Sequence, residues 1–270
     1  IPLRARPLTT HHRSLQSYMR KEQTESTFVK HGPCSSCGSS DANAIYSDNH
    51  QVCFSCNAYI HGDGSVVNTN KTRARPLEMT GTIAAIQDRR ISMDTAKRYG
   101  VTVENGEDGS ISKHHYPYHN QEGNKVVGTK VRNVATKDFY ATGDLGSAGL
   151  FGQQSFAAGG KYITITEGEI DAMAAYEMNG GFPAVSIRSG ANSAVKDVKA
   201  SLEYLETFDK VVICFDSDEA GIKAAADVLP LFSPRKAKVC TLPLKDAGDM
   251  LKANRVREYT KCWWDAKAYK

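Results

Sequence analysis

Nowhere in the 270 residues does an uninterrupted apolar run approach the ~20 residues that a membrane span requires, so no membrane partner is expected. The opening IPLRARPLTTHHRSLQSYMRK lacks both acids and an apolar core, and without such a core it is no secretory leader. An organelle transit peptide is the minor reading of so Arg-rich a start. A disordered basic arm is the preferred one, and the missing initiator Met points to trimming. A GxxxxGK[ST] loop is absent too: Gly159-Gly160-Lys161-Tyr162 has neither the spacing nor the hydroxyl, which excludes an ATP-driven motor as the chain stands. An excess of one charge is nearly absent, with 34 Lys+Arg against 30 Asp+Glu. The whole surplus sits in residues 1–30 (Arg4, Arg6, Arg13, Arg20, Lys21 and Lys30 against Glu22 and Glu25), and the rest balances. That balance excludes an evenly basic nucleic-acid-coating protein, and 40% hydrophobic content excludes disorder throughout. The length suits two modules.

What is present begins with cysteine. Seven is an odd number, against a purely disulfide-stapled secreted fold, and a reducing cytoplasm is the expected location. Cys214, Cys240 and Cys262 lie far apart and read as inert thiols. Cys34-Ser-Ser-Cys37 and Cys53-Phe-Ser-Cys56 are two CxxC knuckles, each a tight turn presenting two thiolates to one ion. Together they predict one four-cysteine zinc site. The rival, a redox pair, wants a βαβ context that is missing. Ala44–Tyr46 and Gln51–Phe54 flank Ser47-Asp48-Asn49 as a hairpin. His50 and Asp48 at its tip, with Tyr46 and Phe54 nearby, are candidates for contacting unstacked bases; a solvated turn over a small aromatic core explains them equally well.

A linker free of large apolar residues from Asn68 to Arg75 follows. Thr82–Arg90 carries Ile83 and Ile86 in a helix-compatible pattern, and Ser92 reads as the N-cap of a helix Met93–Tyr99 stopped at Gly100. Ile111–His119 and Lys125–Arg132 predict a second hairpin. Its return strand places Lys130 and Arg132 on one face, with Lys137 shortly after, a row suited to phosphates or to solvent. His114, His115 and His119 show no metal spacing and are expected at the surface.

From Lys161 strands alternate with helices: Lys161–Thr166, then a helix with Ile170, Met173, Ala174 and Met178 on one face; Val211–Phe215, then a helix with Ile222, Ala225, Ala226 and Leu229; and Ala237–Leu242. That order implies a parallel sheet, whose ligands bind beyond the carboxyl ends of its strands. Acids follow each strand there: Glu167-Gly168-Glu169-Ile170-Asp171, Asp216-Ser217-Asp218-Glu219, and Asp246 with Asp249. Asp216 and Asp218 are spaced to share an ion, and an oxygen-only site suits Mg²⁺ or Mn²⁺. Helix-dipole complementarity explains Asp171 or Glu219 singly, not three clusters at one edge.

Glu167–Asp171 with Phe215-Asp216-Ser217-Asp218-Glu219-Ala220-Gly221 resembles the TOPRIM signature of topoisomerases, primases and some nucleases. With the ribbon ahead of it, the chain from His31 onward resembles the primase half of the primase–helicases of T-odd (T seven type) podophages. Asp48-Asn49-His50, Arg90-Ile91-Ser92, Lys97–Gly100, Lys130-Val131-Arg132, Leu150-Phe151-Gly152 and Lys245-Asp246-Ala247 carry the likeness beyond the cysteines and acids. Asn133–Lys137 departs from the family in length and Ser186–Ser189 in pattern, and the latter receives no role. The implied fold is α/β (α+β overall): a basic disordered arm (1–30), a small four-cysteine zinc ribbon (31–61), a flexible linker (62–76), a mixed α+β subdomain (77–160) and a TOPRIM parallel-sheet subdomain with its tail (161–270).

The implied activity is synthesis of short RNA primers on single-stranded DNA by nucleotidyl transfer, aided by one to two or more Mg²⁺ or Mn²⁺ ions. By position the metal carboxylates are Glu167, Asp216, Asp218 and Asp246, with the first three catalytic; Glu167 or a water would accept the 3′-hydroxyl proton. Lys130, Arg132 and Lys137 are assigned to nucleotide or template phosphate, and His50 and Asp48 to template bases. The implied partners are single-stranded DNA, ribonucleoside triphosphates, a replicative helicase (fused in a longer protein or separate) and a DNA polymerase that receives the primer. A TOPRIM nuclease and a non-catalytic zinc–TOPRIM recombination mediator are the alternatives.

Overall fold

The computed structural model of the chain describes residues 26–35, 39–53, 58–68 and 75–268. Its contacts divide into two units, one up to Thr72 and one from Arg73 onward. The expected arm (1–25 of it), Cys37, Phe54, Cys56 and the linker stretch 69–74 lie outside the described residues.

The first unit is an antiparallel meander of β1 (Phe28–Gly32), β2 (Asn43–Tyr46), β3 (Gln51–Cys53), β4 (Ala58–Ile60) and β5 (Val66–Asn68), paired in sequence order. The expected β2–β3 hairpin is there, closed by the Asn49 N–H to the Tyr46 carbonyl at 2.9 Å with Asn49 at φ 64°. Two boundaries move. β1 starts inside the residues read as arm, because the Phe28 segment pairs with Tyr46, and β5 takes Val66-Val67 out of the residues read as linker. The buried centre is small: Cys34, Cys53 and Ala58.

The second unit opens with α1 (Met93–Tyr99). Ser92 caps it, its hydroxyl accepting from the Thr95 N–H at 3.1 Å, and Gly100 ends it at φ 72°, as the sequence predicts. Thr82–Arg90 is not a helix. Ile86 pairs with Ile91 around a tight 3-10 turn at Gln87–Arg89, and both isoleucines are buried while Ile83 is exposed, so the segment plugs the core end-on instead of packing one face. A four-stranded antiparallel sheet follows: β6 (Thr102–Asn105), β7 (Ile111–His119), β8 (Val126–Asn133) and β9 (Phe139–Gly143).

The third sheet is built from β10 (Gly160–Thr166), α2 (Glu169–Met178), β11 (Ala184–Ser186), α3 (Ala194–Ala200), α4 (Leu202–Glu206), β12 (Phe208–Cys214), α5 (Glu219–Val228), β13 (Ala237–Val239), α6 (Ala247–Lys252), α7 (Val256–Trp264) and β14 (Lys267–Ala268). Its order is β11-β10-β12-β13-β14, parallel except for β14 at the edge. β11 and β14 were not foreseen; three and two residues are too few to show a period. The antiparallel and parallel sheets share one core. Tyr99, Tyr116, Tyr118 and Phe151 pack in it with Met173 and Ala174 of α2, and the Tyr99 hydroxyl donates to the Ala184 carbonyl at 2.8 Å. α5 is turned from its expected face. Gly221, Ala224, Ala225 and Val228 are buried and Ile222 is 62% exposed. A Cβ on Gly221 would lie 2.2 Å from the Asp216 carbonyl oxygen, so the glycine presses the helix onto the strand end and sets the contact line.

The β7 histidines correct another expectation. His114 and His115 are buried and His119 half-buried, because β7 is covered on both faces over five consecutive residues. Burial pushes the His114 imidazolium down to about 4. A base with a depressed pKa stabilises the fold fully above its unfolded value near 6.5 and loses that contribution as pH falls through the folded one. His114→Gln is therefore expected to cut the loss of unfolding free energy between pH 7 and pH 4.5 by about 2–3 kcal/mol, read by urea denaturation. An unchanged pH slope would contradict the buried neutral ring.

Candidate active site at the carboxyl edge of the parallel sheet

The parallel strands deliver acids to one edge. Glu167 and Gly168 bridge β10 and α2, and one Glu167 oxygen (Oε1) accepts the Ala191 N–H at 3.1 Å while Oε2 is buried without a hydrogen-bond partner among the described residues. A Cβ on Gly168 would stand 2.6 Å from Asp171 Oδ2, so a larger residue there would turn that carboxylate aside. Asp216 follows β12, and Asp218 caps α5 by accepting the Gly221 N–H at 3.0 Å. Lys245 Nζ lies 3.1 Å from Asp216 Oδ2 and 3.7 Å from Asp218 Oδ2. Asp246 caps α6 through the Asp249 N–H at 2.6 Å, and the Gly248 N–H of the same turn donates to Asp171 Oδ1 at 2.9 Å.

Three carboxylates converge. Oxygens of Asp171, Asp216 and Asp246 lie within 4.8 Å of one another. Burial, then the neighbouring Asp246, pushes the Asp171 carboxyl well above the usual range. Glu167 is raised by burial and by Asp216; Asp216 is raised by burial, against the pull of Lys245. Half-buried acids that repel one another and carry an unpartnered oxygen have the chemistry of a divalent-cation site with hard oxygen ligands.

The basic residues divide. Lys130 and Arg132 lie on one face of β8, with the Phe139 ring centroid 5.1 Å from Lys130 Nζ and 5.6 Å from Arg132 Cζ. Lys130 reaches the acidic half, 2.8 Å from Glu169 Oε1. Lys137 stays apart from that row, exposed in the turn after β8 at φ 63°. In the first unit His50 Nδ1 is 2.6 Å from Asp48 Oδ1, and its ring is stacked between Tyr46 at 4.2 Å and Tyr59 at 5.2 Å. Hydrogen bonds from Ser26 and then His50 hold the exposed Asp48 carboxyl below its ordinary value. Cys34 and Cys53 are buried in one cluster.

Residues 164–251 match a family described as Toprim-like. The DNA helicase/primase of Enterobacteria phage T3 is 32% identical over 246 residues, covering 85% of this chain and 42% of that protein. The crystal structure of the primase fragment of the bacteriophage T7 primase–helicase protein is 33% identical, with a TM-score of 0.65, over 88% of this chain and all of that one. The chain belongs to the primase family of T7-type primase–helicases. It spans about two-fifths of the T3 protein's length. A further structure holds primase domains of two T7 subunits, bound to an RNA/DNA hybrid and dTTP, interacting with the lagging-strand DNA polymerase. Its primase chain is 33% identical, with a TM-score of 0.62, over 70% of this chain and 94% of that one.

Three residues near the site do more in the structure than the sequence assigned to them. Asp171 sits with Asp216 and Asp246, although a helix-dipole role accounts for it locally. Its signal is its place one turn beyond Glu167. Glu169, inside the Glu167–Asp171 motif, is buried at 4% exposure on Lys130 and Tyr118, partners the motif does not reveal. Arg188, in the stretch given no role, is buried: it makes a two-point pair with Asp197 (2.9 and 2.6 Å) and donates to the Leu145, Gly146 and Ala148 carbonyls.

Proposed function

We propose that this primase chain synthesises short RNA primers on single-stranded DNA from ribonucleoside triphosphates. The observation that carries the reading is the carboxylate cluster at the sheet edge, together with a lysine, Lys130, paired to Glu169 of the same Glu167–Asp171 motif, in a chain matched over 88% of its length to a T7 primase fragment. Glu167, Asp216, Asp218 and Asp246, now with Asp171, would hold Mg²⁺ or Mn²⁺. When bound, one or two such ions supply charge neutralisation at the attacking 3′-hydroxyl and at the leaving pyrophosphate. Glu167, whose carboxyl is raised by burial, would accept the hydroxyl proton, with a water as the other acceptor. Lys130 and Arg132 take phosphate oxygens of the nucleotide or template. Lys137 joins them only if its turn folds toward the template.

Cys34, Cys37, Cys53 and Cys56 would bind one Zn²⁺ and hold the sheet that carries His50. Stacked between two tyrosines and tied to Asp48, the His50 ring has lost the freedom that reading an unstacked base would otherwise cost. A helicase and a DNA polymerase are the proposed protein partners. The test offers templates covering every trinucleotide with ribonucleotides and Mg²⁺. Template-dependent oligoribonucleotides are the expected product. DNA fragments would identify a nuclease, and binding without product a recombination mediator; either overturns the proposal.

A further inference from the structure

Lys130 is held on three sides. Its ammonium lies 2.8 Å from Glu169 Oε1, donates to the Arg188 carbonyl at 3.0 Å, and has the Phe139 ring centroid 5.1 Å away. Glu169 Oε1 also accepts from the Tyr118 hydroxyl at 2.5 Å. The Lys130 and Glu169 side chains are 19% and 5% exposed. So dry an ion pair adds little stability over apolar residues of the same size, which directs attention to what it positions.

The Arg188 carbonyl is itself fixed, since the peptide N–H and the guanidinium of Arg188 both bond Asp197. Three residues on, the Ala191 N–H holds Glu167. One loop therefore sets the distance between a cation and a carboxylate of the metal edge. An ammonium has three N–H donors; Glu169 and Arg188 take two, and the third is left for a ligand oxygen.

We infer that Glu169 is a positioning residue: with Tyr118 and the Arg188 carbonyl it aims the Lys130 ammonium at a phosphate oxygen of the bound ribonucleotide, at a fixed offset from Glu167. The inference rests on the primase reading and names the residue that orders its nucleotide subsite. Glu169→Gln keeps the shape but replaces the ion pair by a weaker bond to a neutral amide oxygen, so the ammonium samples other rotamers before a nucleotide arrives.

Glu169→Gln is expected to raise KM for ribonucleotides about tenfold with kcat within about threefold, and to weaken binding of a fluorescent ribonucleoside triphosphate in Mg²⁺ by the same factor. Tyr118→Phe, which removes one hydroxyl and keeps the ring, is expected to move both in the same direction by about threefold; it carries the test if the Gln protein does not fold. A kcat loss at unchanged KM, a lower KM, or no change in either variant overturns the inference. If the wild-type chain makes no oligoribonucleotide, the primase reading fails on its own and the nucleotide-binding measurement still decides the role of Glu169.

Discussion

Asp216→Asn is expected to lose oligoribonucleotide synthesis by about 10³-fold or more while making the protein more stable in the absence of divalent ions. Both effects come from one cause. Asp216 stands at the end of β12 among Asp171, Asp246 and Asp218, and burial raises its carboxyl even against Lys245 at 3.1 Å. A carboxyl whose folded pKa is raised favours the fold below its unfolded pKa and loses that contribution as pH rises through the folded one. At neutral pH the charged Asp216 is therefore a burden that only a cation relieves. Asparagine keeps the volume and removes the charge, so the Tm in EDTA is expected to rise. Added Mg²⁺ reverses the order, because the wild type gains binding energy that the variant cannot. Asp218→Asn loses synthesis as well, but asparagine caps a helix as well as aspartate does, so α5 keeps its N-terminus. A variant at position 216 that is active, or that is less stable in EDTA, would make Asp216 a mere ion-pair partner of Lys245.

How far such residues are legible depends on whether their partners are near in sequence. The hairpins around Asp48-Asn49 and Asn120–Asn124, the cap at Ser92 and the acids at strand ends follow from local pattern, and the structure has those elements where the pattern places them. Asp171 fails the local test because an acid in the first turn of α2 is already explained by the helix dipole; Asp246, which makes it a site residue, comes from another strand end. Glu169 is hidden for the same reason, since its partner Lys130 belongs to a different sheet. His114 and His115 are expected at the surface for want of metal spacing, but adjacent residues point to opposite faces of a strand and β7 is covered on both. Ile222 misled because apolar spacing fixes a helix face only to within a residue, and the contact of Gly221 with Asp216 decided it.

Removal of the proposed zinc is expected to unfold the first unit and leave the second intact. Five strands of three to five residues surround, among the described residues, a buried centre of Cys34, Cys53 and Ala58 with Ala42 packed against it, and Ala44 and Ile60 are buried besides. At ~25 cal/mol per Å² so few apolar side chains cannot offset the backbone entropy of ordering the sheet. A structural zinc contributes about 10–16 kcal/mol at neutral pH in comparable small modules, so the proposed ion would outweigh every other term. The aromatic row Phe28–Tyr46–His50–Tyr59–His61 lies on the same sheet and depends on it for its stacking. The second unit carries its own two cores, built on Tyr99, Phe151 and Met173 and on Ile163, Ile213 and Phe208. A strong chelator, or Cys34→Ser, should therefore abolish the chemical-shift dispersion of His50 and Tyr59 while the Tm of the larger unit stays within about 2 °C. The same treatment should remove template-selective initiation, because Asp48 and His50 are then no longer held 2.6 Å apart. Dispersion that survives complete loss of zinc would mean that the sheet folds on its side chains alone. In that case the cysteine knuckles would be an accessory to the hairpin and no longer its foundation.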